Sequence, residues 1–437
     1  MALRFDASAL APDAALARRW RARPLPTETV TVEHDGHPVT AVAGEPVAIA
    51  LLAAGRPVLA RSPKYHRPRG PTCLRGACDG CLVRLDGAPN VMACRARARS
   101  GMKVTSQNAF PTAGVDLLRV TDWFFARGMD HHHLLAETPH VVNAVMQSFA
   151  RRMSGLGTLP DDAPPVRAAR EVTADVLVVG AGPAGCAAAT ALSLAGLCVT
   201  LVDSEPELGG SRRDDPDDAL DLDALPPSVD LRLSTTAVAT YDDGTLLADA
   251  EGVTLVRARA RVFATGSQPY VSAFENNDLP GVMTARALAR AMCHGVMPGA
   301  RVLIVGDDRF ARAVARGAPR GVAVTHRPTA SLVGVDGARA VKRARLSTKE
   351  SIKADVVAVA GEHGAAYELA GQAGAQVGWS AARDRFEPVT DDEGATTAPG
   401  VYAAGSLRMG DVDVGSRAGD GARVAARALR DLRGGDR

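Results

Sequence analysis

Apolar and polar positions alternate from Thr29 to Glu33 and again from His37 to Ala43, on either side of Asp35-Gly36. A period of two predicts two half-buried strands, and Asp-Gly predicts the tight hairpin turn that joins them. Gly44-Glu45 leads into the apolar run Pro46–Ala54, which predicts a short helix closed by Gly55. Leu82–Leu85 and Asn90–Cys94 flank Asp86-Gly87 as a second hairpin. Asp116–Arg127 and Val141–Arg152 have helical periodicity, and Leu159–Pro165 is a Pro/Asp linker.

The pattern changes at Ala174. Asp175–Val179 and Val199–Val202 are apolar runs of the kind expected of buried parallel strands, with an Ala-rich helix to Ala195 between them. Val176–Val202 is the longest apolar tract. A glycine motif and a proline break it, so it predicts strand–turn–helix–strand and not a membrane span. Ala300–Ala311 repeats the pattern of Ala174–Gly185, with Val322–Thr325 as its next strand. Residues 1–25, rich in Ala and Arg, predict a short helix or arm.

A chain of 437 residues predicts about three domains. With 46% apolar residues, 23% charged and a net charge of +2, nothing favours nucleic-acid binding as the main role. Aromatics at 4% are too few for base-stacking platforms. Ala2–Arg23 lacks an unbroken apolar core, so no signal peptide is expected. Clustered cysteines without such a signal point to metal rather than disulfides, to a reducing compartment, and so to the cytoplasm.

Four of the seven cysteines, Cys73, Cys78, Cys81 and Cys94, fall in the pattern C-x4-C-x2-C-x12-C. A C-x4-C-x2-C run is the loop of a plant-type [2Fe–2S] site, whose backbone wraps the cluster closely. Gly70, Gly76 and Gly80 suit that wrapping. Zinc is the alternative metal, although structural zinc more often uses short C-x2-C pairs. Two hairpins, a helix and a cysteine loop in about 80 residues predict a β-grasp ferredoxin domain. Lys64, Arg67, Arg69 and Arg75 surround the first cysteine. They are expected to offset the cluster's negative charge, raising its potential, or to dock an acidic partner.

Gly180-Ala-Gly182-Pro183-Ala184-Gly185 is G-x-G-x-x-G between a strand and a helix, with Asp203 ending the next strand eighteen positions on. In that context the glycines admit a pyrophosphate at the helix N-terminus, and the carboxylate accepts from a ribose hydroxyl. In the internal repeat the second glycine is replaced by Asp308 and the third by Ala311, and the next strand ends in His326-Arg327. An aspartate where pyrophosphate approaches predicts a relic nucleotide fold, the alternative being a 2′-phosphate site at His326-Arg327. The histidines at 131–133 are adjacent and do not converge, so exposure or an interface is expected there rather than a metal. Asp214–Asp223 is expected to be a solvated acidic loop, and Cys186, Cys198 and Cys293 small core residues. No C-x-x-C or C-x4-C follows Gly210, so no disulfide-reductase site is expected. No Ser/His/Asp arrangement stands out either.

With the cysteine loop, Lys64-Tyr-His-Arg-Pro-Arg-Gly70 and Gly180–Gly185 in view, residues 28–430 resemble the first half of the alpha subunit of heterotetrameric sarcosine oxidase. They are also similar to electron-transfer subunits of opine oxidases, hydrogen cyanide synthase and proline or hydroxyproline dehydrogenase complexes. The resemblance implies a flavoprotein with two dinucleotide domains. Glu207–Gly210, Ser211 and Arg212, Val238, Thr265-Gly266, and Gly405 with Ser406 would join Gly180–Gly185 and Asp203 at the dinucleotide. Ser406 stands where such motifs usually carry a ribityl-binding Asp, which leaves NAD as the alternative to FAD. The sequence ends before the folate-binding domain of that alpha subunit, so folate-coupled chemistry is not expected.

Pattern and resemblance together predict an α/β chain. An N-terminal [2Fe–2S] β-grasp domain (28–108) and a helical connector (109–170) come first. A Rossmann domain (171–285 and 386–437) and a degenerate nucleotide-binding-like domain (286–385) follow, in a glutathione reductase-like arrangement. The expected function is an oxidoreductase subunit passing electrons from a partner flavin subunit, acting on an amine or amino acid, to a one-electron acceptor. The alternatives are a self-contained NAD(P)H:acceptor reductase and a structural scaffold.

Overall fold

A computed structural model describes residues 3–4, 28–63, 65–117, 139–153, 168–215, 225–271, 273–361, 363–410 and 412–434. It divides into two compact units. The first comprises residues 1–163, 214–219 and 271–362, and the second 164–213, 220–270 and 363–437. The expected boundaries at 285 and 385 thus differ from those of the units, which lie at 271 and 362. The reason is pairing. Val282–Thr284 joins the sheet of the first unit, whereas His363–Ala365 pairs with Ser267–Pro269 of the second.

The first unit opens with β1 (Thr29–His34) and β2 (His37–Val42), antiparallel and joined by Asp35 and Gly36, both at positive φ. Two consecutive positive φ values match the twist of a two-residue hairpin, as Asp-Gly predicts. The helix α1 (Val47–Ala53) buries every residue from Val47 to Leu52. After the cysteine loop come β3 (Leu82–Leu85), β4 (Ala88–Met92) and β5 (Lys103–Thr105). The sheet order is β2-β1-β5-β3-β4, with the central β1–β5 pair parallel. This is the mixed sheet of a β-grasp domain. Of the connector, α2 (His140–Met153) is described. Most of Asp116–Arg127, the histidines at 131–133 and the linker at 159–165 lie outside the described residues.

The second unit is built on β6 (Ala168–Val179), α3 (Pro183–Leu194), β7 (Val199–Val202) and β8 (Asp230–Arg232). The strands β9 (Thr236–Tyr241), β10 (Gly244–Ala248) and β11 (Gly252–Phe263) follow as a meander. The sheet order is β8-β7-β6-β11-β10-β9. The chain then re-enters the first unit with β12 (Val282–Thr284), α4 (Ala285–Cys293), β13 (Arg301–Val305), α5 (Arg309–Gly317), β14 (Ala323–Arg327) and β15 (Val356–Val359). These strands form a parallel sheet, β12-β15-β13-β14. It returns to the second unit with β16 (Val401–Ala403), beside β11, and α6 (Val414–Gly434).

One apolar core runs through the first unit. It joins Ile49, Leu51 and Val83 of the β-grasp domain to Leu288, Met292 and Ile304 of the parallel sheet and its helix. Burial of that continuous surface is what holds these two parts of the first unit as one body. Leu3–Arg4 pairs as a strand with Val296–Met297, where a helix or arm was expected. Cys198 is exposed rather than a core residue, because it sits in the turn ahead of β7. Among the described residues no helix is long and apolar enough to cross a membrane.

Candidate functional site

The cysteine loop connects Pro68–Arg69 to β3. Leu74 is buried at φ 53°, a left-handed conformation that a branched side chain adopts only under constraint. The amides of Arg75 and Ala77 donate to Cys73 Sγ at 3.4 and 3.3 Å. A Cβ at Gly80 would lie 2.3 Å from the Gly70 carbonyl oxygen, so only glycine permits that crossing of the loop. Cys73, Cys81 and Cys94 are buried and Cys78 is partly exposed.

Hydrogen bonds join the four thiols as two pairs, Cys73 with Cys78 and Cys81 with Cys94. The bond from Cys78 brings the Cys73 thiol down to about 5, against burial, and the same bond raises Cys78. Cys94 is lowered and Cys81 raised in the same way. Among the described residues no group of three or more His, Cys, Asp or Glu is arranged around a single metal ion. Two adjacent pairs suit a different centre. A [2Fe–2S] cluster needs two thiolates on each of two irons, and the residues fit that demand better than they fit zinc.

In the basic segment before the loop, two arginines are held by a carboxylate of this chain. Arg67 chelates Asp278 through Nε and Nη2 at 2.8 and 2.7 Å and donates to Asn276, while Arg69 reaches the same carboxylate at 2.6 Å. The acidic partner of these arginines is therefore Asp278 of the same compact unit. His66 and Arg61 are buried, His66 against Asp116 at 3.0 Å and Arg61 on the carbonyls of Ala113 and His66. Lys64 lies outside the described residues.

Arg75 is different, since its Nη1 donates to Asp214 at 2.7 Å. Asp214, expected in a solvated acidic loop, is fully buried. It also accepts from Arg286 Nε at 2.7 Å and Arg290 Nη1 at 3.0 Å. Burial works against its ionisation, but the charges of Arg75, Arg286 and Arg290 outweigh this and hold its carboxyl well below the usual range. The rest of the acidic run, from 216 to 223, lies outside the described residues.

In the second unit the Gly180–Gly185 turn links β6 to α3, with Pro183 in the first turn of the helix. A Cβ on Gly185 would come within 1.8 Å of the Gly180 carbonyl oxygen, so this glycine permits helix–strand packing. At Gly182 the nearest atom would be Gly210 Cα at 3.9 Å, which leaves open the side where a pyrophosphate approaches. Asp203 Oδ2 accepts from the Ala181 amide at 2.6 Å and Oδ1 from the Glu205 amide at 2.8 Å, so the carboxylate braces the glycine loop. Thr265 donates to the Ala366 carbonyl at 2.7 Å. Val238 is half-exposed on β9, between the two register positions where that strand slips. Cys186 Sγ is pushed up to about 12, mainly by burial, which keeps it an unreactive thiol.

Residues 27–109 match the 2Fe-2S iron-sulfur cluster binding domain family, and residues 178–229 the NAD(P)-binding Rossmann-like domain family. The chain is 28% identical to sarcosine oxidase subunit alpha of Rhizobium meliloti across 91% of its own length and 45% of that subunit. It is 40% identical to hydrogen cyanide synthase subunit HcnA of Pseudomonas aeruginosa across 22% of its own length and 91% of HcnA. The chain belongs to the family of sarcosine oxidase alpha subunits and their relatives. It spans about half the length of the sarcosine oxidase subunit it matches. L-proline dehydrogenase from P. horikoshii shares its fold, with a TM-score of 0.71 at 21% identity over 94% of this chain and 75% of that one. The chain is thus an oxidoreductase-family protein with the cofactor pair expected from its sequence, a [2Fe–2S] cluster and a dinucleotide.

Sequence reasoning missed two residues at the dinucleotide loop of this family member. Buried Arg417 donates to Ser211 Oγ at 2.6 Å, next to Gly210. Buried Asp420 accepts from the Gly405 amide at 2.9 Å and from Arg408. Both lie on α6, more than 230 residues beyond the glycine motif, and no local pattern marks them. Arg385 holds the next residue's backbone, donating to the Ser406 carbonyl at 3.0 Å.

The repeat motif in the first unit is occupied by its own side chains. Asp308 caps α5, taking the Ala311 amide at 2.7 Å, and its other oxygen takes the Gly361 amide at 3.2 Å. The carboxylate thus stands where phosphate oxygens would bind a helix N-terminus. His326 Nε2 lies 2.9 Å from the Gly306 carbonyl oxygen, and Arg327 is paired with Glu350. A cavity of about 990 Å³ in this unit, lined by Gly281, Arg301, Asp355 and Val356 among others, opens at the amino ends of β13 and β15. Parallel sheets bind nucleotides at the opposite, carboxyl ends. Asp308→Ala is expected to cost about 1 kcal/mol through loss of the cap. An earlier urea midpoint would show it, with no gain of NADH or NADPH binding in equilibrium dialysis.

Proposed function

We propose that this chain is the electron-transfer subunit of a multi-subunit amine or amino-acid dehydrogenase or oxidase. The observation that carries the reading is the filled second nucleotide motif. With Asp308 on the helix N-terminus and Arg327 held by Glu350, a resident NAD(P)H site is not offered there. A two-electron donor then has to reach the chain from elsewhere. A flavin-bearing partner that takes hydride from the C–H beside the nitrogen of a secondary amine or amino acid is such a donor. The imine is the product, and the amine proton goes to water.

Cys73 and Cys78 are assigned to one iron and Cys81 and Cys94 to the other, following their pairing. When bound, a [2Fe–2S] cluster supplies one-electron chemistry. Binding displaces the protons that the thiols hold. Gly180–Gly185 with the start of α3 would receive the pyrophosphate of FAD, and Asp203 the adenosine ribose. Gly210, Ser211, Arg212, Val238, Thr265, Gly266, Gly405 and Ser406 are assigned to the same site. FAD is the natural converter from two-electron to one-electron transfer.

The test combines three measurements on the purified chain. Released-nucleotide analysis should give FAD, mixing with NADH or NADPH alone should leave its absorbance unchanged, and neither sarcosine nor proline should be oxidised without a partner. Rapid flavin bleaching by NADPH would establish the self-contained reductase instead.

A further inference from the structure

Arg75, Arg286 and Arg290 converge on one buried carboxylate beside the cysteine loop, and all four residues lie in the first unit. Arg75 is part of the loop, and its amide already donates to Cys73 Sγ. Arg286 and Arg290 come from α4, one turn apart. The start of that helix is tied to the loop, since the Thr284 amide donates to the Thr72 carbonyl at 3.0 Å. Arg286 lies over the Phe310 ring at 5.5 Å, and Arg309 stacks on the same ring at 4.3 Å.

Guanidinium groups do not lose their charge at any ordinary pH, and water screens them little when they are buried. A long side chain left alone would point its charge into solvent. Here one carboxylate accepts from three of them, so their charges are held in place. Each electron that enters a thiolate-bound cluster adds a negative charge, and fixed positive charges nearby stabilise the reduced form.

We propose that Asp214 is a positioning residue for the iron–sulfur centre. It fixes Arg75, Arg286 and Arg290 beside the cysteine loop, and their charges set the cluster's reduction potential to a more positive value. Arg67 and Arg69, bound to Asp278, contribute less. This rests on the assignment of the cluster to Cys73, Cys78, Cys81 and Cys94.

The experiment is an EPR-monitored redox titration of the full holo-protein, with iron and acid-labile sulfide measured on every sample. Arg290→Gln and Arg75→Gln are expected to keep the cluster and move its potential to more negative values. Arg290→Lys, which keeps the charge, should stay near wild type. Asp214→Asn should move the potential, and the shift should shrink in an Arg290→Gln background, because Asp214 acts through the arginines. Unchanged potentials in Arg290→Gln and Arg75→Gln would overturn the proposal. So would shifts of Asp214→Asn and Arg290→Gln that simply add. If Asp214→Asn does not fold, the arginine variants decide alone. A wild-type chain without iron and sulfide would instead overturn the cluster assignment itself, a result that precedes any titration.

Discussion

Cys94→Ser leaves a chain that purifies without its iron–sulfur centre, with iron and acid-labile sulfide falling by about tenfold or more. Cys94 is buried, partnered by Cys81, and reached by the charge of Arg290. Serine is a harder, more weakly acidic ligand that keeps its proton at neutral pH, so one iron would lose half of its protein ligands. Cys73→Ser, Cys78→Ser and Cys81→Ser are expected to behave alike. Cys186→Ser should be silent, because its thiol is half-buried, raised to about 12 and in the other unit. Released nucleotide should stay at the wild-type level in the Cys94 variant, since the glycine loop belongs to the second unit. Full iron and sulfide in Cys94→Ser would remove Cys94 from the ligand set.

Gly185→Val abolishes dinucleotide binding and weakens the second unit at once. Its Cβ would fall 1.8 Å from the Gly180 oxygen, and that atom is backbone, so nothing can rotate away. Forcing the helix from the strand is expected to cost on the order of 3 kcal/mol, seen as an earlier unfolding transition and loss of bound nucleotide. Gly182→Ala is the informative contrast. Its Cβ has 3.9 Å to the nearest atom, so the protein tolerates it, yet it occupies the approach of the pyrophosphate. Stability should be near wild type while affinity falls by about tenfold, or 1.4 kcal/mol, in a binding titration. Equal stability loss in both variants would show that Gly182 is a packing residue too.

How much of this was legible in advance depended on distance along the chain. The hairpins at Asp35-Gly36 and Asp86-Gly87 were readable because their residues themselves take the positive φ that such turns require. The departure of the second motif from a phosphate-binding pattern is visible at Asp308 alone, and the structure adds that its carboxylate accepts from the Ala311 and Gly361 amides. Sequence alone lets the basic segment face the cluster or a separate partner. Composition could place charge near Cys73 but could not show that Asp278 had already taken Arg67 and Arg69. Asp214 is buried against expectation for the converse reason. An acidic run next to prolines has the composition of a solvated loop, and the three arginines that bury its first residue are far away in sequence.

By itself, then, the sequence determined the local chemistry. The cysteine spacing specified a plant-type cluster loop, and G-x-G-x-x-G with Asp203 specified a dinucleotide turn, because both depend on backbone geometry within a few dozen residues. Only the tertiary structure decided how the thiols pair and which charges surround them. Arg75 meets Asp214 across 139 positions, Arg67 meets Asp278 across 211, and Arg417 meets Ser211 across 206. Those partners are chosen by burial. A charged side chain enclosed in a core must find an opposite charge there, and packing of distant elements settles which one it finds.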